Sequence, residues 1–164
     1  MSAQVPGVLA VISVYNGDEH LREAIHSILG RLFADFELVI VGDGSTDATV
    51  EVVTRYVPRV TLIRQQNAGS GAARNRGFEL ATGDYVVVDA DDVWAQDKLE
   101  RQILAVDRDL DTGLCYTNGS SIRVDGSIIE ITLVESHKRL TCLMAMTGRN
   151  PIVTSYVLIS SKIP

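Results

Sequence analysis

At 164 residues and 46% hydrophobic content, the chain suits one domain with a real core. Its net charge of −6 offers no basic stripe to neutralise phosphates, which argues against a nucleic-acid partner. No apolar run reaches membrane-spanning length, and the amino terminus lacks the basic-then-apolar plan of a signal peptide. Two cysteines, Cys115 and Cys142, are too few and too loosely placed for a disulfide framework or a zinc site. The expectation is a cytoplasmic protein with free thiols, with docking at the inner face of a membrane left open.

The first hundred residues alternate between two periodicities. Val8-Leu9-Ala10-Val11-Ile12 is a continuous apolar run, as a strand covered on both faces requires. Leu21, Ala24, Ile25, Ile28 and Leu29 recur at helical spacing. Phe36-Glu37-Leu38-Val39-Ile40-Val41 reads as a second strand closed by a Gly42-Asp43-Gly44 turn. Val50, Val53 and Val57 predict a second helical stripe, with Ser45, Thr46 or Asp47 as its cap. Val60-Thr61-Leu62-Ile63 is a third strand, and Ala73, Gly77, Leu80 and Ala81 give a third helix a small-residue face. A fourth strand at residues 85–89 and a helix lined by Leu99, Ile103 and Val106 follow. This pace predicts an α/β fold of parallel βαβ units, a Rossmann-like and mostly parallel sheet flanked by helices.

After about residue 110 the pattern loosens into a mixed α/β part of the same domain. Residues 114–122 read as one strand, Asp125-Gly126 as a hairpin signal and residues 128–134 as its return arm. Residues 137–146 suit a helix and residues 154–160 a last strand. Residues 1–110 and 111–164 thus read as two halves of one unit.

The chemistry gathers where these strands end, the side on which open parallel sheets bind ligands. The fourth strand runs Val86-Val87-Val88-Asp89-Ala90-Asp91-Asp92, three carboxylates within four residues. Two such charges about 4 Å apart repel by about 4 kcal/mol near a protein surface. The cluster therefore protonates, splays into water or holds a cation, and hard oxygen ligands suit Mg²⁺ or Mn²⁺. The competing reading is an acidic first turn of the helix that follows. The first strand ends in Ser13-Val14-Tyr15-Asn16-Gly17. The third leads through Gln66-Asn67-Ala68-Gly69-Ser70-Gly71 into a helix carrying Arg74, Asn75 and Arg76. That helix start with its arginines favours an anion such as phosphate, while each arginine alone is equally an ordinary solvated residue. Asp43 is placed either to accept a hydrogen bond from a ring N–H or a ribose hydroxyl, or to serve as a turn residue. No spaced dinucleotide glycine fingerprint and no P-loop is present. The histidines at 20, 26 and 137 show no ligand spacing.

Taken together, several segments resemble the family 2 inverting glycosyltransferases. They are Val11-Ile12-Ser13-Val14-Tyr15-Asn16-Gly17, the run from Phe36 through Gly42-Asp43-Gly44-Ser45-Thr46-Asp47, Asn67-Ala68-Gly69, Ala72-Ala73-Arg74-Asn75-Arg76-Gly77, Asp89-Ala90-Asp91-Asp92-Val93-Trp94 and, later, Asn150-Pro151-Ile152. The resemblance implies a GT-A fold and metal-dependent transfer of a sugar, with inversion, from a nucleotide-diphosphate donor to a hydroxyl of a saccharide or lipid-linked acceptor, as in polysaccharide biosynthesis. It puts Ser13, Tyr15, Asp43, Arg74, Asn75, Asp89 and Asp91 on the nucleotide sugar. Asp89-Ala90-Asp91 is similar to the family's DXD motif, with Asp91 and Asp92 as the ligands of Mn²⁺ or Mg²⁺. Ser13, Gly42 and Gln96 depart from the usual residues at their positions without removing any of these groups.

Residues 136–164 contain no Asp or Glu, whereas relatives supply their catalytic base from an acidic motif beyond the Asn-Pro-Ile element. The chain therefore resembles an amino-terminal, donor-binding portion, with the catalytic residue unassigned and donor binding without efficient transfer expected. A non-catalytic nucleotide-sugar binding module is the alternative. A sugar-phosphate nucleotidyltransferase lacks its glycine-rich amino-terminal loop here. An uncovered sheet edge or apolar surface would favour self-association.

Overall fold

The computed structural model describes residues 7–30, 35–81, 83–89, 92–108, 113–117, 119–123, 127–131 and 157–160. Strands β1 (Val8–Val14), β2 (Phe36–Asp43), β3 (Thr61–Gln65) and β4 (Tyr85–Asp89) alternate with helices α1 (Asp18–Leu29), α2 (Thr49–Thr54) and α3 (Ser70–Phe78), and α4 (Lys98–Asp107) follows. Short strands β5 (Leu114–Tyr116), β6 (Gly119–Ile122), β7 (Ile128–Ile131) and β8 (Val157–Ser160) complete the described elements. The main sheet has six strands in the order β3-β2-β1-β4-β8-β5. β1 to β4 are parallel, and β8 enters antiparallel between β4 and β5.

The chain order reverses between β1 and β4, the place where a parallel sheet opens a crevice at its carboxyl edge. In that edge Ile12 pairs in register with Asp89, Ser13 with Val41, and Asp43 with Gln65. The apolar run of β1 is explained by two layers. Val8, Ala10, Ile12 and Val14 pack with Leu21, Ile25 and Ile28 of α1, Val52 and Val53 of α2, and Leu99 and Val106 of α4. Leu9 and Val11 face the other way, with Val39, Val41, Val86 and Ala73 of α3. Each fully buried aliphatic side chain contributes about 1.5–3 kcal/mol, so this central strand anchors both layers.

Several sequence expectations are corrected. α2 stops at Thr54, and Val57 lies outside it at 53% exposure. Pro58 removes the N–H that would continue the helix and disfavours helical backbone at Val57. The buried face is Thr49, Val52 and Val53 instead. α3 ends at Phe78, so Leu80 stays exposed in the turn after it. Residues 114–122 are two strands, because β5 pairs with β8 in the main sheet while β6 pairs with β7 in a separate hairpin. The helix expected at 137–146 and the Asn150-Pro151-Ile152 element lie outside the described residues. Among the described residues no helix is long and apolar enough to cross a membrane.

α3 lies close to the sheet because of one glycine. A Cβ on Gly77 would sit 2.3 Å from Cγ1 of Val11, which is fully buried and has no room to yield. Gly77→Ala should therefore lower stability by about 1–3 kcal/mol, the cost of overpacking a filled core. Urea unfolding checks this; an unchanged midpoint would mean that α3 does not press on β1.

Candidate functional site

The site is built from the carboxyl ends of β1, β2 and β4 and the loops that leave them. Asp43 is its most constrained group. It is the last residue of β2 rather than the middle of a turn, and only 3% of it is exposed. Its Oδ1 accepts from the Gln65 amide Nε2 at 2.7 Å and from the Ala68 N–H at 2.9 Å, and its Oδ2 accepts from the Gly69 N–H at 2.9 Å. Burial works against the charge, but the Ala68 amide, the Gln65 side chain and the Gly69 amide together outweigh it. The carboxyl is held below its ordinary value. Ala68 and Gly69 immediately precede α3, so the anion at the amino end of that helix is Asp43 itself. Gly44 makes the geometry possible: its φ is +77°, and a Cβ there would lie 2.7 Å from the Asn67 nitrogen.

A second network joins the β1–α1 loop to the β2–α2 loop. Asn16 holds a left-handed backbone, with φ at 51°. Its N–H donates to Ser45 Oγ at 3.1 Å, and its Oδ1 accepts from the Thr46 N–H at 2.8 Å. The Gly17 N–H donates to Thr49 Oγ1 at 3.0 Å, and the Asp18 N–H to Asp47 Oδ2 at 3.3 Å. Asp47 also accepts from the Thr49 hydroxyl and, at 3.0 Å, from the Thr49 N–H, as an acid in a turn two residues earlier can. The Thr49 hydroxyl foremost holds the Asp47 carboxyl below its usual range. Two loops far apart in sequence thus behave as one, and Tyr15 projects beside them with 53% of its surface exposed.

Two groups at this edge have unmet hydrogen-bonding capacity. Strand alternation puts Ser13, like Leu9 and Val11, on the α3 face of β1, and Asp43 lies on that same face of β2. Ser13 is 9% exposed, and its hydroxyl has no hydrogen-bond partner; the Arg74 Nε–H on α3 is likewise buried without one. Such groups are rare in native interiors because each costs about 1–3 kcal/mol. The sequence left Arg74 and Arg76 equivalent, and the structure separates them. Arg76 is exposed and ion-paired to Glu79, an ordinary surface residue. Asn75 is exposed on α3.

Asp89 closes β4 beside β1, and Asp92 is partly buried just after it. Asp91 lies outside the described residues, and among those that are described no cluster of His, Cys, Asp or Glu assembles a cation site. The donor set fits a hard divalent cation in kind, since carboxylates at the open edge of a sheet are its ordinary ligands. The residues that follow Asp92 are held from behind. The Trp94 N–H donates to Ser27 Oγ of α1 at 3.1 Å, and the indole is buried with Lys98 Nζ 3.6 Å over its ring. Cys115 is half-buried, and burial pushes its thiol up, so it is a poor nucleophile.

Sequence reasoning missed Gln65, Thr49, Lys98 and Ser27, and it gave Asn16 no role of its own. Asn16-Gly17 beside Ser45-Thr46-Asp47 carried a readable turn signal. Gln65 carried none, because its role depends on the register of β3 against β2.

A depressed carboxyl stabilises the fold above its unfolded value, about 3.9, and that contribution is lost as pH falls through the lower folded value. Asp43→Asn leaves the Gly69 or Ala68 N–H facing a donor. It should cost about 1–3 kcal/mol at pH 7, and the gap from wild type should narrow below about pH 4. Urea unfolding across pH 3–7 checks this; a gap constant with pH would mean the charge of Asp43 is not what matters.

Comparison with known proteins agrees with this architecture. Residues 9–148 match the model of the glycosyl transferase family 2. An uncharacterized glycosyltransferase of Haemophilus influenzae is 32% identical over 149 residues, which cover 88% of this chain and 58% of that protein. The chain thus spans little more than half the length of that relative. The crystal structure of S. aureus TarS 1-349 superposes with a TM-score of 0.70 over 93% of this chain and 46% of its own, and at 21% identity it speaks for the fold alone. The mannosyltransferase PcManGT of Pyrobaculum calidifontis, in complex with GDP-Man and Mn²⁺, is 26% identical with a TM-score of 0.61, over 70% of this chain and 36% of that one. A six-stranded, mostly parallel sheet and a family match over most of its length make this chain a member of glycosyl transferase family 2 with a GT-A fold.

Proposed function

We propose that this chain binds a nucleotide-diphosphate sugar at the carboxyl edge of β1, β2 and β4, as the donor-binding part of an inverting glycosyltransferase. The observation that carries the reading is the pair of buried, unpartnered polar groups, Ser13 Oγ and Arg74 Nε–H, on the face of the sheet that also holds Asp43. A ligand rich in acceptors and hydroxyls offers what both groups lack. Tyr15 gives the base an exposed aromatic surface, and Asp43 keeps about one acceptor position of four for a ring N–H or a ribose hydroxyl. Asn75, exposed on α3 next to Arg74 in sequence, is assigned to the same ligand in this reading.

Asp89 and Asp91 take the ribose and diphosphate side in this reading, and Asp91 and Asp92 hold Mn²⁺ or Mg²⁺. A divalent cation there neutralises charge on the departing diphosphate. The complex of PcManGT with GDP-Man and Mn²⁺ supports both the donor class and the metal. The acceptor is a saccharide or lipid-linked hydroxyl, reached at a membrane surface if lipid-linked. Residues 136–164 contain no Asp or Glu, so no carboxylate base for it comes from them. Self-association through apolar sheet surface belongs to the same reading.

Asp91→Asn tests it. The variant should keep its fold, with an apo melting point equal to or above wild type because it removes one of three carboxylates clustered in four residues of sequence. It should lose most of the Mn²⁺-dependent gain in affinity for UDP or GDP. A Mn²⁺ titration by calorimetry that gives wild-type nucleotide affinity for this variant contradicts the proposal.

A further inference from the structure

Asp43 can serve a nucleotide only if its carboxylate is turned the right way, and one side chain and two backbone amides hold it. A carboxylate offers about four acceptor positions, two on each oxygen. Gln65 Nε2 and the Ala68 N–H together fill Oδ1, while the Gly69 N–H takes one position on Oδ2. The two amide donors belong to the backbone of the loop that enters α3. Gln65 is the only side chain among the described residues that bonds to this carboxylate. It stands opposite Asp43 in the last pair of the β2–β3 ladder, half-buried, on the edge strand of the sheet. We propose that Gln65 is a positioning residue: its amide saturates Oδ1 and so leaves one lone pair, on Oδ2, as the acceptor presented to the nucleotide.

The inference rests on the reading that Asp43 meets the nucleotide. A glutamine suits the task because it donates without adding charge. A carboxylate in its place would face Asp43 at hydrogen-bond distance, where repulsion between the two charges favours one shared proton, held at low pH and released at higher pH. Protonated Glu has the shape of Gln and donates an O–H to the same oxygen. The other charged side chains on the surrounding elements are Arg64 in β3, Arg74 and Arg76 in α3 and Asp47 in the β2–α2 loop, and none of them is hydrogen-bonded to Asp43.

The experiment compares wild type, Gln65→Glu, Gln65→Met and Asp43→Asn by calorimetry. The probe is UDP or GDP, whichever binds wild type, with Mg²⁺ at pH 5 and pH 8, each variant being scored against wild type at the same pH. Gln65→Glu should bind within about threefold of wild type at pH 5 and at least about tenfold more weakly at pH 8. These are the consequences expected when an opposing carboxylate gains its charge. Gln65→Met, which fills similar space without a donor, should be weaker by a similar factor at both values. It decides the matter alone if Gln65→Glu does not stay folded at pH 8. A deficit in Gln65→Glu that does not change with pH, or wild-type binding by Gln65→Met, overturns the role of Gln65 while leaving Asp43 in place. Wild-type binding by Asp43→Asn overturns the parent reading, and the inference with it.

Discussion

A buried carboxylate is the constraint on which the site depends. An ionised Asp taken out of water is tolerated only when its oxygens are supplied with donors. Asp43 gets them from the end of β3 and from two amides at the start of α3. That requirement fixes the end of β2, the end of β3 and the approach to α3 relative to one another. It explains why Gly44 must reach a positive φ against Asn67, since any side chain there would push the loop off the carboxylate. The network through Asn16, Asp47 and Thr49 then extends the same rigid body to the β1–α1 loop, so that Tyr15 and Ser13 come to the same edge.

The parts of the fold that local physics determines were legible in the sequence. The β1 run is apolar without alternation because it is buried on both faces, and periodicity alone says so. The stripe of α1 was readable for the same reason. Tertiary choices were not readable. The split of residues 114–122 into β5 and β6 depends on which distant strand each finds, and both halves carry the same local propensity. The end of α2 was misjudged because a valine at helical spacing was weighted above the proline beside it.

The candidate site stood out in the sequence in kind and less so in detail. Asp43, Ser13 and the acidic segment drew attention because polar residues at the ends of apolar strands are unusual. Whether Asp43 was a turn residue or a ligand contact was left open by position alone. Its geometry gives it a structural duty, with three donors on two oxygens, and leaves room for little more than one further bond. Arg74 and Arg76 could not be told apart by spacing, because what distinguishes them is Glu79 on one side and a buried, unpartnered N–H on the other. The account that joins these features is a preorganised edge, rigid before any ligand arrives, in which Ser13 and Arg74 offer hydrogen bonds that the protein itself does not use.

Backbone amide NMR of the wild-type chain, titrated with UDP and with GDP in the presence of Mg²⁺, tests that account most directly. The prediction is that Ser13, Tyr15, Asp43, Ala68, Gly69 and Arg74 shift together with residues 89–92 at a single affinity, while α1 and the β6–β7 hairpin stay still. Shifts confined to the hairpin or to the outer face of α1, with Ala68 and Gly69 unmoved at saturating nucleotide, would contradict it.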